Sequence, residues 1–346
     1  MVSISSYLRM IDINFKNNVS LLSLEFGDYE WTTMKQTYDA SFALANYLYK
    51  HDLCPKVETE EGIFRFVALY SKNREEWAVS DFAAMISGIT NITLYDTLGK
   101  DSIDYILDQC YVRTVITSAD KLKVLTEIKK NGLLKVVTHV IYFDKIEDAD
   151  LENARSAGLT VISYADAVKE GTGHQATFDE VTPETMYTFS YTSGTTGMPK
   201  GVMLTHRNFV SNVAGFTQFD NEFKFYEDDI YISYLPLAHV FERCLLLSGM
   251  AYRCKIGFYQ GDVLKLRDDL AVLKPTILIS VPRLYNRFYD AMQAKVKELT
   301  GFKRTITEWG IQKKLANLEA TGKTSHGFYD ALVFNKFRDI VGGRVR

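Results

Sequence analysis

An α/β fold with mainly parallel sheets and helices on both faces is the class this sequence predicts. Three observations lead there. Short apolar runs of strand length alternate with amphipathic stretches of helix length along most of the chain. The amphipathic stretches carry helix-ending signals, such as the glycine closing ADKLKVLTEIKKNG. The 346 residues are 47% apolar and 24% charged, a globular balance with material for about two domains.

In chain order, FRFVALYS (64–71) reads as a buried strand, EEWAVSDFAAMISG (75–88) as a helix and TNITLY (90–95) as a strand. The rhythm continues through helix KDSIDYILDQC (100–110), strand RTVITS (113–118), helix 119–132 and strand THVIYFD (138–144). EDADLENARSAG and KEGTGHQATFDEV then read as looser, polar segments, so a boundary is expected near 170–182, dividing the chain into subdomains 1–180 and 181–346. Beyond it, TMYTFSYT (185–192) and GVMLTH (201–206) are expected as strands, followed by helix RNFVSNVAGFTQF and strand DIYISYLP (229–236). AHVFERCLLLSGMAYR is a helix; CKIGFYQ, DVLKLRDDLAVLKP and TILISVP (276–282) make a further βαβ unit. In RLYNRFYDAMQAKVKEL, Leu284, Phe288, Met292, Val296 and Leu299 recur at helical spacing and define one buried stripe.

The net charge of −3 gives no basis for a nucleic-acid partner. Charge is uneven: from Arg283 onward there are 13 Lys/Arg against 6 Asp/Glu. Solvated helix faces explain that, and a patch for an anionic ligand or a membrane surface is the sharper reading. Cys54, Cys110, Cys244 and Cys254 show no CxxC spacing, which points to free thiols in a reducing, intracellular compartment. The six histidines do not cluster at metal-ligand spacing. Residues 1–20 have no secretory pattern, and no run of 18 apolar residues marks a membrane span.

YTSGTTGMPKG (191–201) is the stretch that carries chemistry. Glycines let several backbone N–H groups converge on one anion, Ser and Thr hydroxyls add donors, and Lys200 adds positive charge. A polyphosphate fits that set. The competing reading is a plain hairpin turn, which needs fewer residues and no lysine. The motif is not a Walker P-loop, because Pro199 and the apolar VMLTH run place a strand, not a helix, after the lysine. Residues 192–200 are therefore expected to join two strands. His239 follows strand 229–236 and a proline and is expected at that strand's carboxyl end, facing the same cleft. Glu242, three residues on, is expected on the same helical face or ion-paired with Arg243 or another base. Val281, Pro282 and Arg283 are expected to end a strand, and Tyr95, Asp96, Thr97 and His206 to be structural.

YTSGTTGMPKGV resembles the signature of the adenylate-forming enzymes. NREEW (73–77), LYDTLG (94–99), LPLAHVFER (235–243), SVPRLYNR (280–287) and GGRVR (342–346) narrow the resemblance to the long-chain fatty acyl-CoA synthetases. That resemblance implies a large N-terminal domain of the adenylate-forming fold. It implies ATP, Mg²⁺ and coenzyme A as reactants, a long-chain fatty acid as substrate, and an intracellular setting, cytoplasmic or in peripheral association with the cytosolic face of the endoplasmic reticulum or another organelle membrane. By the same resemblance, Thr192, Ser193, Gly194, Thr195, Thr196, Gly197 and Lys200 would hold the β- and γ-phosphates. His239 would lie beside the acyl carboxylate, with Glu242, Val281, Pro282 and Arg283 near the acyl channel. The family's adenine-binding turn, its magnesium-holding glutamate and its mobile C-terminal domain have no counterpart before Arg346. The resemblance thus implies an incomplete first part of such an enzyme, without a full reaction of its own. A non-catalytic binding remnant and a ligase for another acid are the alternatives.

Overall fold

The computed structural model describes residues 20–22, 29–192, 198–218 and 225–346. Two sheets organise them. The larger is built around β4 (Gly62–Tyr70), with β5 (Thr90–Thr93) on one side and β6 (Thr114–Thr117), β7 (His139–Tyr142) and β8 (Thr160–Ser163) on the other, all parallel. Strand order therefore reverses at β4, a topological switch point whose carboxyl-end crevice is the usual ligand position in open α/β sheets. Beyond β5 lie β9 (Met186–Thr192), parallel to it, and the antiparallel β10 (Lys200–Thr205). Short β3 (Lys56–Thr59) pairs with the first half of β4 through a turn at Gly62, whose φ of 142° suits glycine. The smaller sheet has the order β11-β12-β1-β2, from β11 (Ile230–Ser233), β12 (Lys255–Phe258), β1 (Ser20–Leu22) and β2 (Thr32–Thr33).

The apolar run of β4 is buried on both faces, which its continuous hydrophobicity requires. Val67 and Leu69 join the core shared with α1 (Met34–Lys50), α2 (Glu75–Ser87) and α8 (Val240–Ala251). Phe66, Ala68 and Tyr70 face the opposite core under α3 (Lys100–Gln109), α4 (Ala119–Lys130) and α5 (Asp148–Ser156). Helix α1 starts on a capping box, Thr33 with Gln36, and α2 ends at Gly88 in the left-handed region.

Two sequence expectations meet a different outcome. Of the segments read as loose, 147–158 holds α5, and 169–181 begins with the last turn of α6 (Tyr164–Thr172); β8 lies between them. Gly171 looked like a loop residue, yet it is where α6 crosses α1: a Cβ there would stand 1.9 Å from the Ala43 carbonyl oxygen. Glycine is needed for backbone contact, not for a turn. The division after residue 180 is crossed by sheet hydrogen bonding, since β5 pairs with β9. Finally, the strand expected over 276–282 reduces to one bridge, Tyr231↔Ile277. Pro282 instead opens α10 (Pro282–Glu298) at its first turn, where a missing N–H costs nothing. Downstream, α11 (Gly301–Thr321) exposes Phe302 and Trp309.

One buried ion pair ties the layers. Arg243 of α8 donates to Asp81 of α2 at 2.8 Å, with both side chains 1% exposed. Arg243 also donates to Thr188 on β9 at 2.9 Å and Asn91 on β5 at 3.3 Å, and stacks over the Tyr187 ring at 4.4 Å. The Tyr187 hydroxyl donates to the other Asp81 oxygen at 2.6 Å.

Because removing one partner strands a buried charge, Asp81→Ala is expected to cost about 3–5 kcal/mol in urea unfolding. The double variant Asp81→Leu/Arg243→Met is expected to recover most of it. A single variant that loses less than about 1 kcal/mol would show the pair to be ordinary surface-like electrostatics.

Candidate active site

The site is built from the turn that follows β11. After Ser233 the chain runs through a turn in which Tyr234, Leu235, Leu237 and Ala238 are buried and only Pro236 is exposed. The His239 N–H donates to the Pro236 carbonyl at 2.8 Å and closes the turn. His239 then caps α8: its backbone is extended, and its Nδ1 accepts the Phe241 N–H at 3.1 Å. An accepting Nδ1 puts the ring proton on Nε2, so the exposed ring edge is a hydrogen-bond donor.

Two residues of the larger sheet hold this turn. Asn73, just past the carboxyl end of β4, donates to the Leu235 carbonyl at 2.6 Å and the Ser233 hydroxyl at 3.1 Å. Its Oδ1 accepts the Leu237 N–H at 2.9 Å. Thr93, the last residue of β5, donates to the Ala238 carbonyl at 3.1 Å. Neither was singled out from sequence; only the pairing of distant segments shows what they do. Asn73 also lines a polar cavity of about 420 Å³ where β4, β6 and β7 end.

The flanks of the glycine-rich loop reach the same edge. Thr192 and Lys200 are cross-strand partners at the open end of the β9–β10 ladder, and both are exposed. The signature thus connects two strands, as expected; Ser193, Gly194, Thr195, Thr196 and Gly197 lie outside the described residues. Ser190 of β9 sits beside Thr93 of β5 in parallel register, so Thr192 lies beyond the carboxyl end of β5. Tyr95 extends from that end and meets the His239 ring edge-on at 6.4 Å. His239, Tyr95 and the two loop flanks therefore share one edge of the sheet.

Glu242 does not join them. It is fully buried, and the Tyr231 hydroxyl meets both its carboxyl oxygens at 2.7 and 2.6 Å. Burial pushes its pKa up to about 8, only partly offset by hydrogen bonds from Ser233 and Tyr231. It does not pair with Arg243, which is turned to Asp81. His206 is a packing residue: 1% exposed, against the Tyr187 ring at 5.3 Å, with its pKa lowered to about 4 by burial and then by Arg243.

An apolar cavity of about 780 Å³ opens along α8 and α10, with Phe241 and Leu245 on one wall and Ile279, Tyr285, Phe288 and Met292 on the other. That size is typical of small-molecule sites. Val281, Pro282 and Arg283 are exposed at the head of α10. Their neighbours Ser280 and Tyr285 line the cavity. Among the described residues, no cluster of three His, Cys, Asp or Glu side chains could hold a metal ion, and no helix is long and apolar enough to cross a membrane.

Comparison with known proteins adds to this geometry. The AMP-binding enzyme family model matches residues 14–319. The chain is 38% identical to the peroxisomal long chain acyl-CoA synthetase 7 of Arabidopsis thaliana over 325 residues, 92% of this chain and 44% of that protein. It is 35% identical to long-chain-fatty-acid--CoA ligase 5 of Rattus norvegicus, over 92% of this chain and 46% of that one. It thus spans less than half the length of these relatives. Its fold matches the adenylation domain of a carboxylate reductase from Mycobacterium chelonae with a TM-score of 0.78 at 17% identity, covering 99% of this chain and 53% of that one. A red-emitting luciferase from Phrixothrix hirtus matches with a TM-score of 0.62 at 20% identity, over 78% and 48% of the two chains.

The raised pKa of Glu242 has a measurable sign. The folded state holds a proton that the unfolded state, near the ordinary 4.5, releases, so this stability is complete below pH 4.5 and is lost as pH rises through about 8. Relative to Glu242→Gln, the protein is expected to lose stability at up to about 1.4 kcal/mol per pH unit across that window. Parallel urea titrations of the two proteins check this; identical slopes would place the carboxyl in a solvated setting.

Proposed function

The chain belongs to the AMP-binding enzyme family, and from that premise we propose that it serves a long-chain fatty acid–CoA ligase reaction. A fatty carboxylate oxygen attacks the α-phosphorus of ATP. The new C–O–P bond forms as the bond to pyrophosphate breaks, leaving an acyl-adenylate. The thiol of coenzyme A then attacks the activated carbonyl and AMP leaves.

The observation that carries this reading is the two-ended character of α8. Its N-terminus presents the Nε2–H donor of His239, and its next residues, Phe241 and Leu245, wall the 780 Å³ apolar cavity. A ligand with an anionic head and a long apolar tail matches that pairing, whereas a small polar acid would leave the cavity walls wet. In this reading His239 donates to the acyl carboxylate as it approaches the α-phosphate. The edge-on Tyr95 ring confines the head group, and the segment before α10, including Val281, Pro282 and Arg283, borders the tail.

The glycine-rich loop takes the polyphosphate. Thr192 and Lys200 hold its two ends at the carboxyl edge, and the hydroxyls and N–H groups of Ser193, Gly194, Thr195, Thr196 and Gly197 complete the cradle. Such preorganised donors stabilise charge that builds on phosphate oxygens in the transition state. Mg²⁺ would be held largely by phosphate oxygens and water, consistent with its ordinary behaviour in nucleotide sites. Peripheral contact with a membrane is the setting proposed for delivery of the acid. The basic excess after Arg283 and the exposed Phe302 and Trp309 on α11 support it.

Acid-dependent exchange of labelled pyrophosphate into ATP, measured in a complete enzyme that carries this chain, tests the reading. Exchange is expected with palmitate and not with acetate or benzoate; preference for a short or aromatic acid would overturn the substrate class. In that complete enzyme, Lys200→Ala is expected to lower kcat/KM by about 2.7–4 kcal/mol of transition-state stabilisation, the scale of one preorganised donor. An unchanged value would make the lysine bystander surface.

A further inference from the structure

We infer that Asn73 is a positioning residue: together with Thr93 it clamps the turn 234–238, and so sets where His239 presents its ring to an acyl carboxylate. The carboxylate role of His239 rests on the function proposed above; the clamp itself rests on geometry.

The turn has to be held from outside. Five residues, 234–238, separate Ser233, the last residue of β11, from His239, and none of them belongs to either sheet ladder. Its internal tie is the His239 N–H to the Pro236 carbonyl. Without further bonds the buried backbone groups of Leu235, Leu237 and Ala238 would be unpaired, at a cost comparable to a lost hydrogen bond each. The larger sheet supplies their partners. One Asn73 amide saturates three of its capacities here: Nδ2–H to the Leu235 carbonyl and to the Ser233 hydroxyl, and Oδ1 from the Leu237 N–H. Thr93 supplies the bond to the Ala238 carbonyl. Both residues are buried, Asn73 at 6% and Thr93 at 0% exposure, so water cannot readily substitute.

The amide is the suitable group. It must donate and accept at once, to a carbonyl and an N–H two residues apart. A carboxylate would accept the Leu237 N–H but repel the Leu235 carbonyl, and an alanine would do neither. The bonds also connect two sheets. Asn73 and Thr93 stand at the carboxyl ends of β4 and β5, the strands beside the switch point, whereas the turn belongs to the smaller sheet. His239 therefore takes its position from both layers. Its Nδ1 is then engaged by the Phe241 N–H, so a shift of the turn would release the tautomer as well as the position.

The test reads the histidine directly. With ¹⁵N-histidine labelling there are six residues to resolve, and Asn73→Ala is compared with Thr93→Val, a near-isosteric loss of the second bond. Both variants are expected to move the His239 ring ¹⁵N shifts toward the mixed tautomers of free imidazole and to leave His206 unmoved. Titration with ¹³C-carboxyl palmitate is expected to show binding weakened about three- to tenfold, the scale of one or two lost hydrogen bonds. Wild-type His239 shifts in a folded Asn73→Ala or Thr93→Val protein would overturn the clamp. Should Asn73→Ala fail to fold, Thr93→Val decides alone. His239→Ala separates the two claims. If it binds palmitate as tightly as wild type, the carboxylate role falls, while the ring shifts of the clamp variants still decide the clamp.

Discussion

Arg243 and Asp81 are two charges with no access to water, and the interior is arranged around their contact. Taking each out of water alone would cost several kcal/mol, so they can be buried only where attraction and hydrogen bonding offset the loss. Every element near them contributes a piece of that offset. β5 brings Asn91, β9 brings Thr188 and the Tyr187 ring and hydroxyl, and α7 (His206–Gln218) brings the Phe209 ring, 5.2 Å from the guanidinium. These requirements converge on one orientation of α8 over the larger sheet. Because His239 caps that helix, the same contact that satisfies a buried arginine also fixes the donor at the edge of the site.

Glu242 and Arg243 are neighbours in sequence and opposites in state. Arg243 meets a carboxylate and keeps its charge. Glu242 meets only hydroxyls, and burial favours its neutral form at pH 7. That difference matters for an anionic ligand. A charged Glu242 beneath the turn would oppose a carboxylate and a polyphosphate gathering at the carboxyl edge. A neutral one does not, and the adjacent pair Arg243–Asp81 is self-compensating. On the function proposed above, the N–H donors, the hydroxyls and Lys200 would then meet no competition from a charged Glu242.

The division of labour between the sheets follows from topology. The larger sheet reverses its strand order at β4, and the buried side chains of Asn73 and Thr93 stand at the carboxyl ends of β4 and β5. The smaller sheet delivers the five-residue turn 234–238 against them. Neither sheet alone offers both a place for a polar head and an apolar wall. The wall comes from α8 and α10, which face each other across the cavity.

Much of this was legible in the residues. The βαβ rhythm from β4 to β7, the strands flanking YTSGTTGMPKG and the placement of His239 after a strand all follow from short-range periodicity and turn chemistry, which act over a few residues. The misreadings share one cause. Gly171 and its polar surroundings looked like loop because the Ala43 backbone that α6 packs against lies far away in the chain. TILISVP looked like a strand because apolar composition does not reveal whether a ladder partner exists on both sides. Glu242 was expected on the His239 face or in an ion pair, yet the helix turns it to Tyr231 and turns Arg243 to Asp81. The sequence by itself determined most of the elements from β4 to β7, the strands on either side of the loop and the position of His239 after a strand, since local hydrogen bonding and apolar spacing encode these. Tertiary structure alone decided which charges pair, which carboxyl stays neutral and which amide holds the turn. Those outcomes depend on desolvation and on contacts between residues up to 164 positions apart, as Asn73 and Leu237 are.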